Sequence, residues 1–272
     1  MSTFFRNKVA LVTGASSGIG EGLARELAHQ GTRLSLLARR ADRLEALQQE
    51  LQQLTKVMIA PCDVTNEAAV RQHIENTLKS FGQIDLVIAN AGRAVSGRVD
   101  QLSIKDIRDQ LETNVFGVLN TLYPALQPLK ESKGHIIILG SIMSYVSFGG
   151  SAPYSMSKYA VRALAESLYH ELKPLGISVT LVCPGLVESE IRRVDNRGVF
   201  HPELEDPVPA WIKMPKAQAA RKIISAAARR KRELVLTQHG RLGILLKSHL
   251  PSLFHWLVDV LKIRSGKQKA RL

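Results

Sequence analysis

The sequence predicts an α/β fold in which helices cover both faces of a parallel β-sheet. Three observations support this prediction. Short apolar runs alternate with longer amphipathic runs along the chain, as expected for repeated βαβ units. The apolar runs are continuous, which is typical of strands buried on both faces. Glycine-rich or polar motifs follow several of these runs, at the strand ends where open α/β sheets bind ligands.

The individual elements follow from this alternation. Strands are predicted at residues 8–13, 33–38, 57–62, 86–89, 135–140, 178–183 and 233–237. Helices are predicted near residues 18–30, 41–54, 66–81, 103–130, 153–174 and 215–231. Residues 1–240 are therefore expected to form one domain, followed by an extension at residues 241–272.

A glycine-rich turn, TGASSGIG at residues 13–20, joins the first strand to the first helix. Its glycines would let the backbone approach a pyrophosphate, and the N-terminus of the helix would attract that charge. The glycines are Gly14, Gly18 and Gly20, and the serines that can add hydroxyl donors are Ser16 and Ser17. The spacing G-x-x-x-G-x-G departs from the fingerprint G-x-G-x-x-G. A plain tight turn is the alternative, but the flanking strand and amphipathic helix favour nucleotide binding.

Tyr154 and Lys158 lie four residues apart in a predicted helix, so they share one helix face. A tyrosine hydroxyl titrates near pH ~10, and a nearby cation favours its ionised form. Such a tyrosine can exchange a proton near neutral pH, as a general acid or base must. This spacing alone would indicate a solvated surface pair. Together with the segment 141–158 and the glycine-rich turn, it indicates a catalytic pair.

These motifs occur in the order typical of one enzyme family. The further motifs are Asp63-Val64, Asn90-Ala91-Gly92, Asn114, Ser141 and Pro184-Gly185. Over about residues 6–238, the sequence resembles the short-chain dehydrogenase/reductase family, whose members interconvert carbonyls and alcohols with NAD(P). The resemblance implies a Rossmann-type, doubly wound parallel sheet of seven strands in the order 3-2-1-4-5-6-7.

The resemblance also implies a catalytic tetrad. Tyr154 would be the general acid in reduction and the general base in oxidation. Lys158 would hold the nicotinamide ribose and lower the pKa of Tyr154. Ser141 would donate to the carbonyl oxygen, and Asn114 would hold a water that links Lys158 to solvent.

Cofactor contacts are implied in the same way. Asp63 would accept from the adenine amino group, with Val64 supplying its backbone, and Asn90 would lie under the adenosine ribose. Other cofactor contacts implied are Gly14, Ser16, Ser17, Gly18, Ile19, Gly20, Ala91, Gly92, Tyr154 and Lys158. Near the nicotinamide they are Pro184, Gly185, Val187 and Ser189. No metal is implied, and the histidines show no ligand spacing.

The end of the second strand bears on the choice of cofactor. An acidic residue about twenty positions after the glycines would hold the ribose 2′-hydroxyl of NAD. Here Arg39 and Arg40 follow the strand, and Asp42 comes later. We therefore expect a 2′-phosphate, and NADP(H) rather than NAD(H). Arg39 is the first choice, since a guanidinium can stack on adenine and bind phosphate, whereas Arg40 is expected to point to solvent.

Residues 186–214 lack clear periodicity and are rich in proline and charge. Long irregular segments inside a domain are usually functional lids or disordered. Because this segment follows Pro184-Gly185, we expect it to be a mobile substrate loop.

The net charge of +13 is concentrated at the C-terminus, where residues 229–272 hold 11 of the 37 Lys and Arg residues but 2 of the 24 Asp and Glu residues. Leu253, Trp256, Leu257, Val260 and Leu261 form an apolar helical stripe there. The extension could pack on its own domain or a dimer partner. It could also lie on an anionic membrane, aided by Lys267, Lys269 and Arg271. Nucleic-acid contact through residues 229–232 is not expected, because no recognition fold accompanies these cations.

Composition fits a cytoplasmic enzyme, with or without attachment to a membrane surface. Cys62 and Cys183 suit a reducing compartment, and seven residues before the first strand leave no room for a signal peptide. By resemblance, a homodimer or homotetramer would form through residues 103–130 and 153–174.

The sequence therefore favours an NADP(H)-dependent oxidoreductase acting on a hydrophobic, lipid- or steroid-like carbonyl or alcohol. An NAD(H)-dependent alcohol dehydrogenase is one alternative. A nucleotide-binding scaffold that has lost its chemistry is another, although the complete tetrad argues against it.

Overall fold

The computed structural model describes residues 4–261 and contains a seven-stranded parallel sheet. The strands are β1 (Val9–Thr13), β2 (Arg33–Ala38), β3 (Val57–Pro61), β4 (Leu86–Ala89), β5 (His135–Leu139), β6 (Ser178–Cys183) and β7 (Glu233–Val235). They lie in the order β3-β2-β1-β4-β5-β6-β7, and every neighbouring pair is parallel. The predicted Rossmann-type topology is confirmed.

Helices cover both faces of this sheet. They are α1 (Gly18–His29), α2 (Ala41–Leu51), α3 (Glu67–Phe81), α4 (Ile104–Leu111), α5 (Gly117–Leu122), α6 (Leu126–Ser132), α7 (Ala152–Leu172), α8 (Lys216–Ala228), α9 (Gln238–His249) and α10 (Pro251–Val260). One apolar core joins the sheet to α1, α2 and α8. A second core joins the other face to α3, α5, α6 and α7. Burial on both faces explains why the strands read as continuous apolar runs.

The single helix predicted at residues 103–130 is wrong in detail. After α4, the chain forms a π-helical turn at Glu112–Phe116, and a 3-10 turn at Tyr123–Ala125 separates α5 from α6. Pro124 lies in that 3-10 turn, where its missing N–H is tolerated. A π-helical turn gives no separate signal in a hydrophobic pattern, and such turns are frequent at functional sites.

The described part of the predicted extension, residues 241–261, belongs to α9, which begins earlier at Gln238, and to α10, and the two helices meet at Pro251. Lys247 of α9 donates to the Tyr145 carbonyl (2.6 Å) and the Tyr159 hydroxyl (2.9 Å). Phe254 of α10 is buried, with its ring centroid 6.3 Å from that of Phe148. The inner faces of both helices therefore pack on the domain. The predicted lipid-contacting cations at residues 267, 269 and 271 lie outside the described residues.

No helix within residues 4–261 combines the length and the apolar character needed to cross a membrane.

A buried polar cluster lies between β2 and α3. The Ser35 hydroxyl lies 2.6 Å from both His73 Nε2 and Thr77 Oγ1, and Thr77 also donates to the His73 carbonyl at 2.8 Å. Burial lowers the pKa of His73 to about 4. The folded protein therefore holds this imidazole neutral at pH values where the unfolded chain protonates it.

We expect the free energy of unfolding to fall as the pH drops from about 6.5 to about 4, because protonation then favours the unfolded state. His73 should account for up to about 3 kcal/mol of this loss. Urea denaturation between pH 7 and pH 4.5 would measure it in the wild type and in His73→Gln. The variant should show a shallower pH dependence; an unchanged slope would contradict the assignment.

Candidate active site

The glycine-rich turn brings the backbone of two strand ends close together. Gly14 (φ +66°) and Gly18 (φ +57°) adopt left-handed conformations, which residues with a Cβ rarely occupy. A Cβ on Gly14 would lie 2.8 Å from Ala91 Cα, and one on Gly20 would clash with the Gly14 carbonyl oxygen. This cradle of exposed backbone at the start of α1 fits the pyrophosphate of a dinucleotide.

Asn90 braces this turn from the end of β4. Its side-chain amide donates to the carbonyl oxygens of Thr13 (2.9 Å) and Gly14 (3.1 Å). The Thr13 hydroxyl in turn accepts from the backbone N–H groups of Asn90 and Ala91, both at 3.1 Å. The predicted contact of Asn90 with an adenosine ribose stays a prediction.

The prediction that Arg40 points to solvent is wrong. Arg40 Nη1 donates to Glu190 Oε2 at 2.8 Å, and its Nε lies 3.4 Å from Ser16 Oγ. The cause is the irregular segment 186–214, which carries Glu190 over the turn. Arg39 is more exposed and lies 3.9 Å from Asp63.

Asp63 and Val64 follow β3 at the same edge of the sheet. An Asp63 carboxylate oxygen accepts from the backbone N–H of Thr65 (3.0 Å) and from its hydroxyl (2.9 Å). The Val64 carbonyl accepts from the Asn120 side chain at 2.9 Å. These contacts hold the two residues beside Arg39, and their predicted adenine contacts stay predictions.

Ser141 and Tyr154 come from different elements and meet beyond the end of β5. Burial raises the pKa of Tyr154, whereas a hydrogen bond with the Ser141 side chain and the charge of Arg192 lower it, and the net shift is upward. Ser141 Oγ accepts from the Met143 N–H at 3.1 Å, so its own proton can be donated to the Tyr154 oxygen or to a ligand oxygen beside it. Two hydroxyl groups can therefore converge on one oxygen atom of a ligand.

Lys158 is buried one helical turn beyond Tyr154. Its ammonium donates to the Leu139 carbonyl at 2.7 Å and lies 5.6 Å from the centre of the Tyr154 ring. Burial lowers the pKa of Lys158 to about 8. The expectation that Lys158 lowers the pKa of Tyr154 is wrong for this structure: burial raises that pKa, and the opposing contributions come from Ser141 and Arg192.

Asn114 lies in the π-helical turn and is 1% exposed. Its oxygen accepts from the Arg93 N–H at 2.9 Å, and its Nδ2 donates to Ser157 Oγ at 3.0 Å. Ser157 donates to the Tyr154 carbonyl at 2.7 Å. Asn114 therefore ties the segment after β4 to the helix that carries Tyr154, and its predicted role in holding a water stays a prediction.

The segment 186–214 folds across the site. A Cβ on Gly18 would lie 3.5 Å from Ser189 Cβ, so Ser189 lies against the glycine-rich turn, and its predicted contact near the nicotinamide stays a prediction. The Pro184 carbonyl accepts from the Ile142 N–H at 2.9 Å. A Cβ on Gly185 would lie 2.8 Å from His239 Nε2. Val187 forms a bridge with Met214, which closes the base of the segment.

The sequence did not predict the contacts that the segment 186–214 makes. Arg192, whose charge acts on Tyr154, donates from Nε and Nη2 to the two Asp206 carboxylate oxygens at 2.7 and 2.8 Å. Asn196 exchanges hydrogen bonds with the Ser96 backbone at 2.9 and 3.0 Å. The opposite charges in the segment were a signal for ion pairing, but their partners depend on the folded path.

Comparison with known sequences agrees with this arrangement. The family described as short chain dehydrogenase matches residues 8–199. An uncharacterized oxidoreductase of Staphylococcus epidermidis is 36% identical over 185 residues, covering 68% of this chain and 80% of that protein. An uncharacterized oxidoreductase of Staphylococcus aureus is 34% identical over 195 residues, covering 71% of this chain and 84% of that protein.

Solved structures show the same architecture. An alcohol dehydrogenase from the archaeon Thermococcus sibiricus, complexed with 5-hydroxy-NADP, has a TM-score of 0.74 at 30% identity and covers 84% of this chain and 95% of its own. A short-chain dehydrogenase/reductase from Burkholderia phymatum, in complex with NAD, has a TM-score of 0.82 at 24% identity and covers all of both chains. At 24% identity, the comparison with the Burkholderia phymatum protein shows similarity of the fold alone.

Proposed function

This chain belongs to the short-chain dehydrogenase family, and we propose that it reduces the carbonyl group of a hydrophobic substrate with NADPH. The observation that carries the proposal is the placement of Tyr154 beside the buried Lys158, whose ammonium lies 5.6 Å from the centre of the Tyr154 ring and donates to the carbonyl of Leu139 at the end of β5, two residues before Ser141. This group lies at the same edge of the sheet as the glycine-rich turn. Open α/β sheets bind their ligands at this edge.

The side chains have distinct parts in the proposed reaction. Bound NADPH supplies the hydride that adds to the carbonyl carbon. Ser141 donates a hydrogen bond to the carbonyl oxygen, where negative charge develops. The Tyr154 O–H bond breaks, and its proton forms the new O–H bond of the alcohol. A phenol with the ordinary pKa of ~10 is protonated at neutral pH, and burial raises the pKa of Tyr154 further, so the proton that reduction requires is present.

Lys158 and Asn114 support this proton donor. The Lys158 ammonium, fixed by the Leu139 carbonyl, would hold the ribose hydroxyls of the nicotinamide half and stabilise the tyrosinate after transfer. Asn114 positions Tyr154 through Ser157.

The preference for NADP(H) is supported by the charges at the end of β2. Arg40 lies against Ser16 of the glycine-rich turn, and Arg39 lies beside Asp63. A guanidinium binds phosphate with two parallel hydrogen bonds. Glu190 pairs with Arg40, so a bound 2′-phosphate would compete with this carboxylate for the same cation.

A hydrophobic substrate is supported by a cavity of about 220 Å³ between the turn after Ser141 and the C-terminal helices. Ile142, Val146, Phe148, Leu246, Phe254 and Leu257 contribute apolar walls. The volume exceeds the ~150 Å³ of an engineered apolar cavity that admits benzene. Because Ile142 follows Ser141 directly, the cavity can take an aliphatic part of a substrate whose carbonyl meets Ser141.

Replacing Tyr154 with phenylalanine should lower NADPH-dependent reduction by about 10²–10⁴-fold, because the proton donor is lost. NADPH absorbance with a panel of ketones and aldehydes would measure the rate, and fluorescence titration the NADPH affinity. The affinity should fall far less than the rate, because Tyr154 is one of many implied cofactor contacts and the others remain. Tyr169→Phe, on the same helix, is the control and should keep the wild-type rate. Tight NADPH binding without turnover of any substrate would favour a silent scaffold.

Replacing Arg39 or Arg40 with serine should weaken NADPH binding at least tenfold, because a charge-assisted hydrogen bond contributes about 1.5–3 kcal/mol. NADH binding should change by less than about twofold, since NADH lacks the 2′-phosphate. Calorimetric titration with both nucleotides measures the two affinities. Glu190→Gln should tighten NADPH binding by freeing Arg40. If the wild type binds NADH more tightly than NADPH, and these substitutions leave both affinities unchanged, the protein is an NAD(H) enzyme.

Replacing Gly243 with leucine should fill the cavity between Ile142 and the C-terminal helices. Gly243 lines that cavity, and a Cβ there would meet nothing within 4 Å. We expect kcat/KM for long 2-alkanones to fall at least tenfold, because each buried methylene contributes about 0.8 kcal/mol. The value for 2-butanone should stay within about twofold of the wild type, and Gly243→Ala serves as the smaller control. Equal losses for short and long ketones would exclude this cavity as the substrate site.

A further inference from the structure

The outer faces of α9 and α10 carry large apolar side chains in contact with solvent. Those between 42% and 68% exposed include Leu242, Leu245, Leu250, Leu253, Trp256 and Val260. Leu242 and Leu245 are three residues apart on α9, and Leu253, Trp256 and Val260 follow helical spacing on α10. Each helix therefore exposes an apolar stripe, of the kind that marks an interaction surface.

The orientation of these stripes is fixed by the opposite faces of the same helices. Lys247 anchors α9 to the Tyr145 carbonyl and the Tyr159 hydroxyl, and Phe254 anchors α10 in the interior. Rotation of either helix to bury its stripe would break these contacts. The apolar residues remain on the outside because the inner face already has its own partners.

A groove lined by cations adjoins the apolar stripe of α9. It has a volume of about 450 Å³ and lies between α8, β7 and the start of α9. Its basic lining residues are Arg221, Lys222, Arg229, Lys231 and Arg241, and among the described residues that line it there is no aspartate or glutamate. Arg241 belongs to the groove, and its neighbour Leu242 begins the stripe. The groove therefore meets the stripe of α9 at this point, and the stripe of α10 follows beyond Pro251.

We propose that this surface docks on an anionic membrane. The apolar stripes would enter the headgroup region, as interfacial helices do, while the groove faces lipid phosphates. Each Lys or Arg near such a surface strengthens the attachment about fivefold. A second copy of the chain fits less well, because a two-fold interface would place the same cationic groove on both sides. A nucleic acid would satisfy the cations but leave the leucines and Trp256 without apolar partners.

The chain provides its own reporter for this contact. It has two tryptophans: Trp256 on the proposed surface, and Trp211, which is 85% exposed in the segment 186–214. Trp211→Phe leaves Trp256 as the reporter, and Trp256→Phe leaves Trp211 as the matched control. Both variants would be titrated with phosphatidylcholine vesicles and with vesicles that also contain phosphatidylglycerol, while tryptophan emission is recorded.

We expect the emission of Trp256 to shift to the blue with anionic vesicles, and that of Trp211 to stay unchanged. The apparent lipid affinity of Trp211→Phe should be at least tenfold lower with neutral vesicles than with anionic vesicles. Adding Lys231→Glu and Arg241→Glu to Trp211→Phe should lower its affinity for anionic vesicles at least tenfold. No shift of Trp256 at high anionic lipid would overturn the proposal. So would a blue shift without lipid that grows with protein concentration, since a second copy would then cover the surface. The measurement needs no turnover, so its result is separate from the proposed reaction.

Discussion

The close approach of the glycine-rich turn to the end of β4 is the constraint on which the rest of the site depends. Gly14 leaves no room for a Cβ against Ala91, and the Asn90 amide closes the gap with hydrogen bonds to the Thr13 and Gly14 carbonyls. This contact brings exposed backbone N–H groups to the carboxyl edge of the sheet. Asp63, Ser141 and the Tyr154–Lys158 pair then reach the same edge because all of the strands run in parallel.

The proposed reacting centre combines Tyr154 and Lys158, and burial favours the uncharged form of both side chains. Burial raises the pKa of Tyr154 and lowers that of Lys158 to about 8. A phenol that keeps its proton can donate it. An amine whose pKa lies near neutral pH can change its protonation when charge forms nearby. The Leu139 carbonyl fixes the ammonium, so its position is set before any ligand enters.

Two further parts of the chain cover this centre from different sides. The segment 186–214 reaches over the glycine-rich turn through Glu190 and Ser189, and its Asn196 attaches it to Ser96. The C-terminal helices close the apolar side beside Ile142 and Phe148. On the proposed membrane surface, α9 and α10 would then present one face to lipid and the other to the proposed substrate cavity. A substrate dissolved in the bilayer would have a short path to such a cavity.

The sequence alone determined the sheet, the strand limits within a residue or two, and the identity of the motifs at the strand ends. These features are local, since a continuous apolar run or a glycine turn depends on neighbouring residues. The tertiary structure decided the π-helical turn at Asn114, because its stabilising partners Arg93 and Ser157 lie far along the chain. It also decided that Arg40 meets Glu190, 150 residues away, and which leucines of the C-terminal helices face solvent. Those outcomes depend on which distant side chains the fold brings together, and no local pattern encodes that pairing.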